Sequence, residues 1–135
     1  MKTYLKNLSR CYTAGSMGGL LSSLVIWKMG DSGLTAALGV NIAPYWTSTW
    51  IYPRVVWGGL WGILFVLPFL KQRDMLRGFV YSLGPSIITL LVVYPYQEHK
   101  GVLGLTLGTM TPLVILFTNS LWGICAVFWL EFTRE

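Results

Sequence analysis

Five carboxylates, one histidine and two cysteines are the whole stock of carboxylate, imidazole and thiol side chains for acid–base, nucleophilic or metal chemistry. Asp31, Asp74, Glu98, Glu131 and Glu135 all fall at the edges of apolar stretches or in a tail, never at their centres. Proton-coupled transport generally needs an acid or a histidine inside the membrane, where a charge is costly enough to mark function. This distribution therefore argues against an ion-coupled pump. With His99 as the single histidine, bis-histidine haem ligation and any multi-histidine metal site drop out. Cys11 and Cys125 lie far apart and complete no metal set. A serine hydrolase requires a base within hydrogen-bond reach of its nucleophile, and His99 sits beside Glu98, away from the serines of the apolar runs. Phosphate-cradling and dinucleotide glycine patterns are missing too, because the glycines lie within apolar runs instead of at strand-to-helix turns. The expectation is a protein that is not an enzyme and holds no metal or cofactor.

Two polar residues stand out from what remains. Asn119 is the most polar residue deep in any apolar stretch and reads either as an interhelical hydrogen bond or as a solute or ion contact. Arg54 precedes Gly58 and Gly62 at helical spacing. Its ordinary roles are snorkelling to lipid phosphate or pairing with Asp31 or Glu98, and its sharper role is an anion site. Small residues at the same spacing, Gly15 with Gly19, Gly58 with Gly62, and Ser82, Ser86 and Thr89, form faces that let helices approach closely, and Gly123 continues the theme. Gly15, Gly19, Ser22, Gly58, Gly62, Ser86, Thr89, Asn119 and Gly123 are expected to line the interior.

The elements that must position these residues follow from composition. The chain has 135 residues, 54% hydrophobic and 11% charged, against about 25% charged in soluble domains. A water-soluble monomer is nearly excluded, and four membrane-spanning helices of about 20 residues would leave only short loops and tails. The expected spans are 11–29, 50–70, 75–96 and 105–130, forming a single transmembrane domain over 1–135. The connection of about 20 residues after the first span is rarely structureless at that length. Its Gly33 to Gly39 portion suits a short interfacial helix, and Gly101 to Thr111 suits a second such cap. Gly84-Pro85 should kink the third span, and Pro112 suits the first turn of the fourth.

The net charge of +5 could suggest nucleic acid, but its distribution points to the membrane instead. Lys2, Lys6, Arg10, Lys71, Arg73, Arg77 and Arg134 fall in the tails and middle loop, whereas Lys28, Arg54 and Lys100 occupy the alternate connections. That bias places both termini on the cytoplasmic side. Both cysteines then lie towards the cytoplasmic leaflet, and no disulfide is expected. Glycines and serines dilute the first apolar run and no small-residue cleavage site follows, so it reads as an uncleaved helix. Tyr45, Trp46, Trp50, Tyr52, Tyr94 and Tyr96 map to an outer aromatic belt. Trp57, Trp61 and Trp122 lie deeper and are expected to face lipid, with a lipid tail, a pigment or a partner helix as alternatives.

The two halves echo one another. Gly59-Leu60-Trp61-Gly62-Ile63 is matched by Ser120-Leu121-Trp122-Gly123-Ile124, and Gly33-Leu34-Thr35 with Leu38-Gly39 by Gly104-Leu105-Thr106-Leu107-Gly108. Tandem helix-hairpin repeats over 11–70 and 75–130 would be related by a pseudo-two-fold axis along the membrane normal.

The run Tyr52-Pro53-Arg54-Val55-Val56-Trp57-Gly58-Gly59-Leu60-Trp61-Gly62, with Thr111-Pro112-Leu113 and Asn119-Ser120-Leu121-Trp122-Gly123, resembles a family of small uncharacterised bacterial four-helix integral membrane proteins. The resemblance implies a bacterial cytoplasmic (inner) membrane and carries no activity or functional residues across. The fold class expected is an all-α polytopic membrane protein. Its expected partners are membrane lipids and either further copies of itself or other membrane-protein subunits, with no nucleic acid. Two functions fit: a non-catalytic accessory or assembly subunit acting through its lateral surfaces, and a small channel or facilitator for a neutral or anionic solute.

Overall fold

The computed structural model describes residues 2–69 and 73–133, and every regular element among them is helical. The α-helices are α1 (Lys2–Asp31), α2 (Leu34–Ala37), α3 (Ser48–Gly62), α4 (Asp74–Ile88) and α5 (Thr111–Phe132). A 3-10 turn, Ile63–Val66, prolongs α3; a π-helical segment, Thr89–Gln97, prolongs α4; a second 3-10 segment, Val102–Leu107, leads into α5. Lys71 and Arg134, both used in the charge count, and the expected end of the second span at Leu70 lie outside the described residues.

Element boundaries follow local chemistry. Gly33, at φ 86°, takes the left-handed conformation that stops α1 from running on, with Lys28 in the last turn facing the negative end of the helix dipole. Helix α1 starts at Lys2, well before position 11, because the basic residues that set the expected boundary are good helix formers. The chain leaves the helix at Leu67, extended as a residue before Pro68 must be. Pro112 occupies the first turn of α5, where its missing N–H has no partner to lose. The fourth expected span began too early: Leu105 belongs to the 3-10 segment, which contains left-handed Leu103 and Gly104 and is separated from α5 by Gly108. Pro85 does not break α4, yet the helix widens into the π form four residues later and stays wide through Pro95.

Among the described residues two helices are long and apolar enough to cross a membrane, Asp74–Gln97 and Thr111–Phe132. At 22 residues the latter rises about 33 Å, against about 30 Å of bilayer hydrocarbon. Only 33% and 44% of their most apolar stretches are buried, so most of that apolar surface faces outward.

The longer helices pack side by side in the order α3, α1, α5, α4, each antiparallel to its neighbour. Among the described residues glycine faces glycine, backbone to backbone, at two helix crossings, and Gly18 of α1 meets the Trp122 backbone of α5 as closely. On α1–α3, a Cβ at Gly62 would stand 2.7 Å from Gly15 Cα, and one at Gly19 would stand 2.8 Å from the Arg54 carbonyl. On α4–α5, a Cβ at Gly78 would stand 2.8 Å from the Gly123 carbonyl carbon. At this range dispersion between main chains replaces side-chain interdigitation, so neither crossing tolerates even a methyl group. Trp122 corrects the expectation of lipid-facing packing: it is 4% exposed, and its indole Nε1 donates to the Gly15 carbonyl at 3.0 Å and the Gly58 carbonyl at 3.3 Å. One α5 side chain thereby ties α5 to both α1 and α3.

At the end where α1 begins and α5 ends, two arginines close exposed helix carbonyls. Arg10 donates to the Leu130 carbonyl at 2.7 Å. Arg77 is only 7% exposed, donates to the Phe65 carbonyl at 2.6 Å and to that of Leu67 at 3.4 Å, and lies over the rings of Phe65 and Tyr81. Tyr81 adds donation to the Leu67 and Phe69 carbonyls. Arg77 is thus a buried cap on the end of α3, not the loop charge its position suggested, because the terminal carbonyls of a helix need donors and this one sits over apolar rings. At the opposite end the two connections meet: Asn41 N–H donates to the Leu107 carbonyl at 2.8 Å, and Gly108 abuts the Gly39 backbone.

Candidate functional site

Helices α3 and α4 are the neighbours that do not pack on one another along their length. Trp61 and Leu64 reach across to Gly84, where a Cβ would stand 3.4 Å from either side chain. Towards the loop end the two helices part around a cavity of about 450 Å³. Its back wall is Gly19 and Ser22 of α1 and Asn119 and Trp122 of α5. Among its lining residues Trp57 of α3, 61% exposed, and Ile88 of α4, 40% exposed, also face the outside between the two helices.

The π segment shapes one side. Pro85, Thr89, Val93 and Gln97 follow at intervals of four and line the cavity from its deep end to its rim. In a helix of wider turn this spacing keeps one row facing one direction, and wide turns of this kind recur at functional sites. Glu98 ends the row at the rim, where it is exposed.

Arg54 heads the other side. It follows Pro53 in α3, and its Nε donates to Ser23 Oγ at 2.7 Å while its guanidinium carbon stands 5.1 Å from the Trp50 ring centroid. Ser23 is fully buried in α1, so this bond fixes the head of the arginine against the α1–α3 crossing. Arg54 makes no ion pair among the described residues; in particular neither Asp31 nor Glu98 meets it. Its two amino groups have no hydrogen-bond partner among the described residues, and the residue lines the cavity.

Asn119 borders the same cavity from α5, where its Nδ2 donates to Ser86 Oγ at 3.1 Å and Ser86 Oγ in turn donates to the Ser82 carbonyl at 2.8 Å. The fold therefore brings Arg54 and Asn119, far apart in sequence, to one cleft, together with Gly19 and Gly58. Gly15 and Gly62 lie beneath it at the α1–α3 crossing and Gly123 at the α4–α5 crossing, all three buried. Of the residues expected inside, Thr89 and Asn119 are only half-buried. Sequence reasoning passed over Ser23, Arg77 and Gly78. The signal for Gly78 was available: it stands to Gly123 as Gly15 stands to Gly62.

The cleft ends below Trp61 and Trp122, where Phe65 stacks against Trp122 at 5.8 Å and against Tyr81 at 4.9 Å. Among the described residues no group of three or more histidine, cysteine, aspartate or glutamate side chains gathers to hold a metal. The arrangement offers an unpaired cation near one end of a long, aromatic-lined slot, with a carboxylate further out. It can hold an elongated molecule by its polar end. No protein-family model, curated protein sequence or solved structure matches the chain.

Proposed function

We propose that the chain is a non-catalytic integral membrane protein that spans the bilayer four times, with both tails cytoplasmic, and works as an accessory or assembly subunit, binding further copies or other subunits through its lateral surface. Several features support the spanning reading. The apolar faces of Asp74–Gln97 and Thr111–Phe132 turn outward, the reverse of a soluble core helix. Helix α3 with its 3-10 turn rises about 30 Å, enough to cross. Arg10, Arg73 and Arg77 gather at one end, while exposed Tyr45, Tyr52 and Tyr96 ring the other.

A tandem duplication is supported by one matched crossing: Gly62 crosses Gly15 in the first half as Gly123 crosses Gly78 in the second. Ser23 and Ser86, at the same spacing from Gly15 and Gly78, each accept a hydrogen bond from the partner helix, but the donors Arg54 and Asn119 stand one turn apart in register. The halves diverge where they meet: α1 packs on α5, but α3 leaves α4. That open side is the observation that carries the functional reading. It sets Trp57 and Ile88 outward beside an unpaired arginine, a surface that a neighbour in the membrane can cover. The aromatic plug beneath the cleft favours this reading over a conduit through a single chain.

Photo-cross-linking in native membranes tests it. The chain stays in the membrane pellet through an alkaline carbonate wash, and a photoreactive residue in place of Leu60 or Ile88 captures a protein partner, a second copy or another subunit. One in place of Phe128, exposed on α5, captures none. Absence of any protein adduct from both open-side positions would overturn the proposal.

A further inference from the structure

The cleft has chemistry of its own, ordered by depth. Glu98 stands outermost, at the end of the π segment. Arg54 comes next, six residues into α3 and therefore about 9 Å below its start. Below Arg54 the walls turn apolar and aromatic, with Trp57 and Trp61 on one side and Val93 and Ile88 on the other. Arg54 and Glu98 line one cavity without meeting each other.

An arginine at this depth in a membrane protein is costly unless an anion answers it. Ser23 satisfies one of its five N–H donors, which leaves the four N–H donors of its amino groups without a partner among the described residues in a side chain that lines the cavity. Within the bilayer the abundant anion is lipid phosphate, which the planar guanidinium receives through two parallel hydrogen bonds. Glu98 sets a second condition. A carboxylate on the outer side of the phosphate repels a purely anionic headgroup and favours one ending in an ammonium. Below the phosphate, the lateral mouth between Trp57 and Ile88 admits an acyl chain directly from the membrane.

Resting on the membrane-spanning reading above, we infer that the cleft between α3 and α4 binds one phospholipid with a primary-ammonium headgroup. Its phosphate lies on Arg54, its ammonium on Glu98, and one acyl chain descends past Trp57 and Trp61. The sequence of the walls, acid, arginine and then aromatic slot, matches the sequence ammonium, phosphate and then chain along such a lipid. The ordered seat makes this lipid part of the surface that a neighbouring subunit meets.

The test is native mass spectrometry of the full chain, extracted in mild detergent and exchanged against vesicles containing equal parts of phosphatidylethanolamine, phosphatidylglycerol and phosphatidylcholine. The parent protein should carry one phosphatidylethanolamine in preference to the other two. Arg54→Gln should lower retention of any phospholipid about tenfold or more, the effect of losing a charge-assisted hydrogen-bond pair. Glu98→Gln should keep a bound phospholipid and lose the preference for phosphatidylethanolamine over phosphatidylglycerol. Parent protein without a retained phospholipid, or with phosphatidylglycerol or phosphatidylcholine held equally well, overturns the inference without recourse to any variant. So does unchanged retention by Arg54→Gln. The protein mass of the same particles reports separately on self-association, so a monomer carrying its lipid would count against copies as partners and leave the lipid site standing.

Discussion

Arg77 and Arg54 lie at opposite ends of the molecule and repay comparison. Each projects from a helix, stands over an aromatic ring and is held by oxygen acceptors. Arg77 is enclosed and directed at the carbonyls that end α3, so its charge completes the fold locally. Arg54 has one hydroxyl partner, and it lines a cavity that the exposed Trp57 and Ile88 also border. A buried arginine facing helix carbonyls does the work of a cap, whereas one facing a void is built to receive something. The difference lies in what surrounds the guanidinium and not in residue type or in its place along a helix.

The strongest way to break this comparison is to destroy the frame that holds both arginines. Gly123→Leu drives a side chain into the Gly78 backbone, which no rotamer change relieves. The expected cost exceeds about 3 kcal/mol, the upper range for overpacking against more yielding neighbours. Denaturant titration in detergent and the yield of monodisperse protein measure it, and an unchanged midpoint would place this crossing elsewhere.

The next effect sharpens the contrast. Arg77→Gln shortens the donor and removes its charge, leaving the Phe65 carbonyl without its partner and the Leu67 carbonyl with Tyr81 alone. A loss of about 2 kcal/mol is expected, in the range for hydrogen bonds to charged groups. Thermal unfolding followed by circular dichroism checks it, and a loss near zero would return Arg77 to the role of a topology-setting charge.

The smallest effect belongs to the back wall of the cleft. Asn119→Leu removes the bond to Ser86 and should cost about 0.6 kcal/mol and at most about 1.7 kcal/mol, as interhelical hydrogen bonds do in membrane proteins. The same variant should leave the Arg54 end of the site intact. A loss of several kcal/mol would show that Asn119 holds more than this one contact.

The sequence was most legible where function and packing depend on spacing along one helix. Gly15 with Gly19 and Gly58 with Gly62 announce close faces by their intervals, and Arg54 and Asn119 stand out because polar groups are expensive in apolar runs. What it did not disclose depends on which helices become neighbours. Nothing in the periodicity of α3 or α4 says that these two part while α1 and α5 pack, so the cleft was invisible. Arg77 read as a loop charge because charge counting locates a residue along the chain and says nothing about the carbonyls that a separate helix will bring to it. Trp122 read as lipid-facing for a similar reason: its carbonyl partners at Gly15 and Gly58 lie on other helices. The echo between halves pointed at Gly123 as the counterpart of Gly62, and its partner Gly78 continues the four-residue spacing of Ser82 and Ser86 towards the start of α4, a signal the small-residue face carried one turn further than it was followed.

The central claim, that one arginine serves the fold and the other serves a ligand, is tested most directly by measuring thermal stability and bound phospholipid on Arg77→Gln and Arg54→Gln side by side. The account predicts a crossed result. Arg77→Gln should melt earlier while still carrying its lipid, and Arg54→Gln, in lipid-free detergent, should melt within about 1 kcal/mol of the parent, the worth of the single bond to Ser23, while losing its lipid. Parallel behaviour, with stability and lipid retention lost together in both variants or kept together in both, would contradict it.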